Sequence, residues 1–298
     1  MTLTRASIPE ERHPSQIRAE RLTANLGAEL FDVDLAAVAH DDVLFAELRS
    51  LLTEHKVLFA RDQSISRRDH VALARRFGDL EPHPILASDP EHPGLVRIYK
   101  DLDSPPEHYE NAFHCDATWR ACPPFGSVLR CVDGPSVGGD TIWVDMVAAY
   151  AALPPEVKAR IDGLRARHSI EASFGAAMPD EQRAELHRAF PDAEHPVVRI
   201  HPDTGQRILF VNSFATHLTN YHTPENIRFG YDYAPGAAEL LQYLIRQASV
   251  PEFQVRWRWT PDSFAIWDNR CTQHYAVQDY WPAVRRMERA GIVGDRPF

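Results

Sequence analysis

Cysteine is scarce in this chain of 298 residues, which contains four cysteines. None of them forms a Cys-x-x-Cys pair, and four are too few to build a disulfide framework for a protein of this size. We therefore expect the thiols to be reduced. The four residues are Cys115, Cys122, Cys131 and Cys271.

Long apolar runs are also lacking. The longest uninterrupted run covers residues 146–153, whereas a helix needs about 20 apolar residues to cross a bilayer. Near the N-terminus, Arg5, Glu10 and Arg12 interrupt any apolar core of the kind that a signal peptide requires. These absences favour a soluble, cytoplasmic protein with no membrane partner.

Clusters of positive charge are the third absence. The formal net charge is -10, and no block of lysine and arginine occurs along the chain. A nucleic-acid backbone or an anionic membrane surface is bound by such blocks, so the charge pattern argues against both partners. Any anion that the protein binds must be met by a small local group of cations.

Internal repeats, low-complexity tracts and evident linkers are absent too. The apolar content of 44% is sufficient for a substantial core. We predict a single domain over residues 19–298, preceded by a flexible N-terminal arm over residues 1–18, which is polar and contains proline.

Short strands separated by helices dominate the predicted elements. Acidic caps precede a helix over residues 41–56, and Ser66 opens a capping box for a helix that Gly78 ends. Helices are also predicted over residues 146–152, 155–161 and 235–248. Strands are predicted at residues 57–60, 95–99, 128–132, 140–144, 253–259, 264–267 and 285–291, with hairpins over 21–33 and 197–211. The pattern favours a mainly β fold with α insertions, such as an antiparallel barrel or jelly roll with helices outside.

A candidate metal site is indicated by His114 and Asp116. In a strand these two side chains would share one face, so we predict a strand over residues 113–116. The other two His-x-Asp pairs, at residues 40–42 and 201–203, are typical of a helix start and a hairpin turn. With His274 as a third ligand, two imidazoles and one carboxylate form the set that suits non-haem Fe(II) oxygenases, and zinc would accept it too.

Seven motifs, in order and at characteristic spacing, resemble a known family. They are Arg75–Gly78, His114-x-Asp116, Gly138–Thr141, His195–Arg199, Trp257–Trp259, Ile266–Arg270 and Gln273–Ala276, the last followed by Arg285 and Arg289. Over about residues 20–298 the chain resembles the Fe(II)- and 2-oxoglutarate-dependent dioxygenases of the taurine and 2,4-dichlorophenoxyacetate dioxygenase group. No single motif would be specific, but the ordered set is.

The resemblance implies a double-stranded β-helix, a cupin-like jelly roll, flanked by helices. It implies Fe(II) bound by His114, Asp116 and His274, with 2-oxoglutarate and O2 as co-substrates and with succinate and CO2 released. The distal carboxylate of 2-oxoglutarate would bind Arg285 with help from the Thr141 hydroxyl. This assignment is chemically reasonable because a guanidinium donates two hydrogen bonds to a carboxylate and an alcohol donates a third.

The resemblance also implies substrate positions. Arg289 stands where sulfonate-oxidising members bind the substrate anion, His83 matches a substrate-contacting histidine, and Phe174 matches an aromatic residue that lines the site. Two positions depart from the taurine enzymes, since Leu86 replaces a tyrosine and Glu110 replaces an asparagine. A carboxylate near a sulfonate repels it, which argues against taurine itself.

We therefore expect hydroxylation of a small organic anion: a sulfonate, a sulfate ester or a carboxylate. Family members are commonly dimers or tetramers, so we expect a homodimer or homotetramer.

Two other interpretations fit parts of the sequence. A zinc-dependent hydrolase or isomerase on a jelly-roll barrel could use the same three ligands. Such an enzyme has no need of the paired arginines Arg285 and Arg289. A purely structural or binding jelly roll leaves the convergence of His, Asp, His, Thr and Arg unexplained.

Overall fold

The computed structural model describes residues 16–81, 88–102, 111–171, 178–222 and 236–298, which are mainly β-sheet with helices, as predicted. The strands are β1 Arg18–Arg21, β2 Ala28–Phe31, β3 Val57–Ala60, β4 Leu95–Lys100, β5 Gly126–Asp133, β6 Thr141–Asp145, β7 Arg165–His168, β8 Ala193–Pro196, β9 Val198–Ile200, β10 Arg207–Leu209, β11 Ala215–Leu218, β12 Gln254–Trp257, β13 Phe264–Asp268, β14 Thr272–Ala276 and β15 Arg285–Ile292. The α-helices are α1 Leu35–Val38, α2 Asp42–His55, α3 Arg67–Phe77, α4 Met146–Ala152, α5 Pro155–Ile161, α6 Asp180–Ala189 and α7 Ala237–Ile245.

The largest sheet has seven strands in the order β1-β2-β3-β13-β5-β15-β4. Its pairs are antiparallel except for β2 and β3, which are parallel. Strands β3 and β13 are buried along their whole length. Alternate side chains enter two cores: Leu58 and Ile266 pack in the core that includes residues of α1, α2 and α3, whereas Phe59 and Trp267 face an aromatic core.

The aromatic core joins the large sheet to a second sheet of three strands, in the order β12-β6-β14. Phe59 stacks on Trp257 at 4.4 Å between ring centroids, and Trp143 lies edge-on to Trp267 at 5.7 Å. Large aromatic rings thus fill the space between the sheets. Two smaller sheets, β11-β7-β8 and β10-β9, contribute to a further core together with α4 and α7.

Most predicted elements are confirmed, including the β1–β2 hairpin at the sheet edge and the β9–β10 hairpin. Asp41 caps α2 by accepting from the backbone amides of Val43 and Leu44, and Ser66 caps α3 by accepting from that of Asp69. Helices α4 and α5 have the predicted bounds. Six elements were not predicted from the sequence: α1, α6, β7, β8, β11 and β14.

The strand predicted over residues 113–116 is wrong. His114 forms a single antiparallel bridge with His274, and Asp116 begins a turn. The next residue, Ala117, has a positive φ of 48°, which extended backbone does not adopt. The chain therefore turns immediately after the second candidate ligand.

The predicted N-terminal arm lies mostly outside the described residues. Within the described part, Ile17 is buried and Arg18 begins β1. Among the described helices, none is long and apolar enough to cross a membrane.

Candidate active site

The three predicted metal ligands converge. Oδ1 of Asp116 lies 3.8 Å from Nε2 of His114 and 3.9 Å from Nε2 of His274. These separations are too long for hydrogen bonds, but two ligand atoms that each bind an ion at about 2.1 Å can lie up to about 4.2 Å apart. All three residues are largely buried. The donor set and its spacing therefore fit a divalent metal ion.

Backbone pairing positions the two histidines. His114 N donates to His274 O at 3.0 Å, and His274 N donates to His114 O at 2.7 Å. Strand β14 carries His274 and pairs with β6, so the ligand is fixed to the second sheet. The rings of Trp143 and Trp267 lie 6.3 and 5.2 Å from the His274 ring and exclude water on that side.

The side-chain amide of Asn269 positions Asp116. Its Oδ1 accepts from Asp116 N at 2.9 Å, and its Nδ2 donates to Asp116 O at 3.2 Å and to Pro124 O at 3.1 Å. Asn269 thereby gives the backbone of Asp116 the hydrogen-bond acceptor and donor that a neighbouring strand would otherwise provide. Asn269 lies within one of the family-like motifs, but no role was predicted for it from the sequence.

The imidazoles are in a suitable state to bind a metal. Nδ1 of His114 donates to Ala112 O at 2.7 Å, which leaves the lone pair on Nε2, toward Asp116. Burial, and secondarily the neighbouring His114, lower the pKa of His274 to about 3. His274 is therefore neutral near pH 7, and a metal ion would not have to displace a proton from it.

The two residues predicted to bind 2-oxoglutarate also meet. Nη2 of Arg285 donates to Oγ1 of Thr141 at 3.3 Å, and its Nε donates to Gly139 O at 3.2 Å. Nε1 of Trp259 donates to the same hydroxyl at 2.9 Å. Since that oxygen accepts two N–H groups, its own hydrogen remains available as a donor toward an anion.

Arg289 lies on the same face of β15 as Arg285, as the spacing predicts. Its Nη1 donates to Oδ2 of Asp116 at 2.9 Å, so it adjoins the metal site. Its Nε atom is buried and has no hydrogen-bond partner among the described residues. A largely buried guanidinium with unused donor capacity is suited to bind an anion.

The other three predicted substrate positions, His83, Glu110 and Phe174, lie outside the described residues. Leu86, which stands where the taurine enzymes have a tyrosine, also lies outside the described residues. Their roles remain predictions.

The structure reveals two charged residues that the sequence analysis missed. Glu81 and Arg120 form an ion pair beside Arg289, with side-chain exposures of 10% and 23%. Burial raises the pKa of Glu81 to about 6, although Arg120 and Arg289 oppose this shift. Neither residue belongs to a recognisable motif, so no sequence signal distinguished them from surface charges.

His195 holds the turn that carries Arg120. Its Nε2 donates to Thr118 O at 2.7 Å and to Arg120 O at 3.0 Å. Burial lowers the pKa of His195 to about 4, so the ring is neutral near pH 7. His195 lies within one of the family-like motifs, but this contact was not predicted from the sequence.

Comparison with known proteins places this site in context. Residues 18–290 match the family model described as taurine catabolism dioxygenase TauD, TfdA family. An alpha-ketoglutarate-dependent sulfate ester dioxygenase of Pseudomonas putida is 31% identical, with 99% of this chain and 95% of that protein covered. A (S)-phenoxypropionate/alpha-ketoglutarate-dioxygenase of Sphingobium herbicidovorans is 32% identical, with 92% and 94% covered.

A solved structure agrees with these relatives. The crystal structure of a taurine dioxygenase from Burkholderia xenovorans superposes with a TM-score of 0.77 at 33% identity, covering 95% of this chain and 93% of that one. None of these proteins is described as a zinc enzyme, so the zinc alternative has no support from the comparisons.

Proposed function

This chain belongs to the TauD, TfdA family and is an alpha-ketoglutarate (2-oxoglutarate)-dependent dioxygenase, and from that premise we propose that it oxidises a small organic anion at the site around His114, Asp116 and His274. The observation that carries this proposal is the convergence of a three-ligand metal site with two separate arginine positions. One arginine serves the co-substrate and the other serves the substrate.

Fe(II) is the metal that we assign to His114, Asp116 and His274. Two imidazoles and one carboxylate form the ligand set that suits non-haem Fe(II), and they would leave positions for exchangeable ligands. When bound there, iron supplies the oxidising chemistry with O2 that no side chain of the protein can supply. The protein's own contribution is to hold the ligands and to exclude water with the indoles of Trp143 and Trp267.

Arg285 and Thr141 bind the distal carboxylate of 2-oxoglutarate in this proposal. The Arg285 side chain is buried, and an arginine carries its charge at any physiological pH. Its contacts with Thr141 and Gly139 fix the guanidinium before the co-substrate arrives, so little ordering is required on binding.

Arg289 binds the anionic group of the substrate. Its hydrogen bond to Asp116 places this anion beside the metal ligands, so a carbon attached to the anion comes close to the oxidising centre. If that carbon bears a sulfate oxygen, hydroxylation gives an unstable product. Its hydroxyl oxygen becomes the carbonyl oxygen of an aldehyde as the C–O bond to sulfate breaks, and the hydroxyl proton leaves with the sulfate.

For the fold, we infer that the two facing sheets are the halves of the family's double-stranded β-helix. The large sheet and the β12-β6-β14 sheet enclose one aromatic core, as the halves of a jelly roll do. His274, one of the three predicted ligands, contacts this core through the rings of Trp143 and Trp267.

Turnover assays with paired arginine variants test the substrate assignment. Succinate formation is measured with iron, 2-oxoglutarate, O2 and a panel of alkyl sulfates, sulfonates and phenoxyalkanoates. Arg289→Ala should raise KM for the preferred anion far more than it weakens 2-oxoglutarate binding. The matched control is Arg286→Ala. It removes a half-exposed arginine that lies on β15, as Arg289 does, and that pairs with Asp133 of β5. Equal losses for both ligands in Arg289→Ala would contradict the division between the two arginines.

A further inference from the structure

The turn that precedes β6 contains two consecutive glycines with positive φ. Gly138 and Gly139 have φ angles of 83° and 69°, and β6 begins at Thr141. A side chain at either glycine would be strained in this conformation. At Gly138 it would also be blocked, because a Cβ atom there would lie 2.6 Å from Oδ1 of Asp279 and 3.2 Å from its backbone oxygen. The turn is therefore shaped to admit Asp279.

Asp279 joins this turn to the loop between β14 and β15. Its Oδ1 accepts from Gly139 N at 2.8 Å. From the same loop, Val277 N donates to Asp140 O at 2.9 Å, so the backbone is held on both sides of the Gly139 carbonyl. Because glycine has little conformational preference of its own, these contacts set the direction of that carbonyl.

The Gly139 carbonyl supports the arginine that we assign to 2-oxoglutarate. It accepts from Nε of Arg285 at 3.2 Å, while Oγ1 of Thr141 accepts from Nη2 of the same guanidinium at 3.3 Å. A guanidinium is planar, so contacts at Nε and Nη2 together fix the orientation of its plane. A Cβ atom at Gly139 would lie 3.4 Å from Cδ of Arg285, so the arginine side chain packs directly on the glycine.

These contacts form one chain from a loop carboxylate to the co-substrate site. We propose that Asp279 is a positioning residue for 2-oxoglutarate: through Gly139 it orients the Arg285 guanidinium toward the distal carboxylate. Asp279 acts through the turn and contributes no contact of its own to the co-substrate. The inference rests on the proposed function, in which Arg285 binds that carboxylate.

Asp279 acts as a hydrogen-bond acceptor in this proposal, and its negative charge is not required. The side chain is 51% exposed, and its ion pair with Arg256 is long, at 3.9 Å, so solvent screens the charge. A negative charge near Arg285 would also repel the carboxylates of 2-oxoglutarate. Asparagine keeps an acceptor oxygen without the charge, whereas alanine has neither. The two substitutions therefore separate the hydrogen bond from the charge.

Separate titrations with metal and co-substrate test the proposal. Metal-free protein is titrated with Fe(II) alone against a competing chelator. Iron-loaded protein is then titrated anaerobically with 2-oxoglutarate, and the visible charge-transfer band of the chelated keto acid is followed. Asp279→Ala should weaken 2-oxoglutarate binding about 5- to 10-fold, as expected for loss of one hydrogen bond, and should leave the affinity for iron unchanged. Asp279→Asn should bind 2-oxoglutarate as wild type does.

Two further variants test the same contact. Gly138→Ala introduces a Cβ atom that must displace the Asp279 carboxylate, so it should cause the same selective loss. This variant takes the place of Asp279→Ala if the latter does not fold. Asp133→Ala is the matched control, because it removes a carboxylate of similar exposure, 49%, that pairs with Arg286 beside Arg285 on β15. It should behave as wild type in both titrations.

The outcomes distinguish this inference from the proposed function. Unchanged 2-oxoglutarate affinity in folded Asp279→Ala, an equal loss in Asp279→Asn, or a matching loss of iron affinity would overturn the inference alone. If iron-loaded wild type takes up no 2-oxoglutarate, the proposed function fails and the inference fails with it.

Discussion

Among the residues that the structure describes, two groups of histidine, aspartate and cysteine side chains have the composition of a metal site, and they differ in how their lone pairs are used. The first is the candidate active site, in which Asp116 Oδ1 lies 3.8 and 3.9 Å from the imidazole nitrogens. The second comprises His201, Asp268 and Cys271, and its ligand atoms also lie within 4.8 Å of one another.

In the second group the candidate ligand atoms already have partners. The Asp268 carboxylate accepts from Arg270 at 2.6 and 2.9 Å and from Nε2 of His201 at 3.1 Å. Nδ1 of His201 accepts from the backbone amides of Asp203 and Thr204, so this histidine has no lone pair left for a metal. Burial raises the pKa of Cys271 well above its usual value, so its sulfur remains a thiol.

The comparison teaches that composition and proximity do not define a metal site. In the first group, the distances between ligand atoms are those expected around a shared metal ion. In the second group, His201 and Asp268 are at the distance of a direct hydrogen bond. We therefore interpret the second group as structural, since it joins the β9–β10 turn to the end of β13 and the residues after it.

Among substitutions that test this difference between the two groups, we expect the largest effect on activity from Asp116→Asn. Removing the charged ligand should abolish 2-oxoglutarate turnover and leave the thermal unfolding temperature close to wild type, because the turn remains held by Asn269. Succinate formation and calorimetric unfolding measure the two quantities. Wild-type turnover in this variant would remove Asp116 from the site.

The same substitution in the second group, Asp268→Asn, should affect stability instead. It leaves the buried guanidinium of Arg270 without its main partner, which typically costs about 3 to 5 kcal/mol. Chemical denaturation measures this loss. The folded fraction should still bind iron and 2-oxoglutarate, and loss of binding by folded protein would mean that the two groups are not separate in function.

Acid denaturation should show a smaller effect of the same carboxylate. Burial alone would raise the pKa of Asp268, but hydrogen bonds from His201 and Arg270 outweigh it and lower the pKa to about 2. Since the pKa is lower in the folded state, the stability that it contributes is present above the unfolded value of about 3.9 and is lost as the pH falls toward 2. Between about pH 5 and 2, protonation of Asp268 should lower the free energy of unfolding of wild type by about 2 kcal/mol. Asp268→Asn should not show this decrease. Equal acid dependence of the two proteins would contradict the assignment.

The smallest predicted effect concerns Asn269, which lies between Asp268 and Arg270 and contacts the backbone of Asp116. Asn269→Ala should lower iron affinity about 10- to 100-fold, as loss of an outer contact to a metal ligand typically does. Metal titration against a competing chelator measures it. An unchanged affinity would show that the turn is held without this amide.

Much of the fold follows from apolar periodicity. The predicted strands that face two cores, such as β3 and β13, consist of short buried runs, and the helices with sequence-encoded caps begin where the caps predict. Helix α6 was missed because it buries none of its residues and therefore has no apolar stripe. Strands β7 and β8 were missed because they contain Arg, His and Glu in place of an apolar alternation.

The candidate site was predictable where a motif fixes both residue type and position. His114, Asp116, His274, Thr141, Arg285 and Arg289 were all named from the sequence, and the structure brings them to one region. Residues that act through tertiary contacts could not be found in this way. Asn269 reaches Asp116 from a distant segment, and Glu81 approaches Arg289 only because Leu80 pairs with the end of β15.

The central claim is that His114, Asp116 and His274 bind the iron to which 2-oxoglutarate chelates. Its most direct test is an anaerobic titration of the metal-free protein with Fe(II) and 2-oxoglutarate, followed by the weak visible charge-transfer band of a chelated keto acid. We expect the band to appear in wild type and to be lost in His274→Ala. A wild-type protein that binds metal without this band, or a band that persists in His274→Ala, would contradict it.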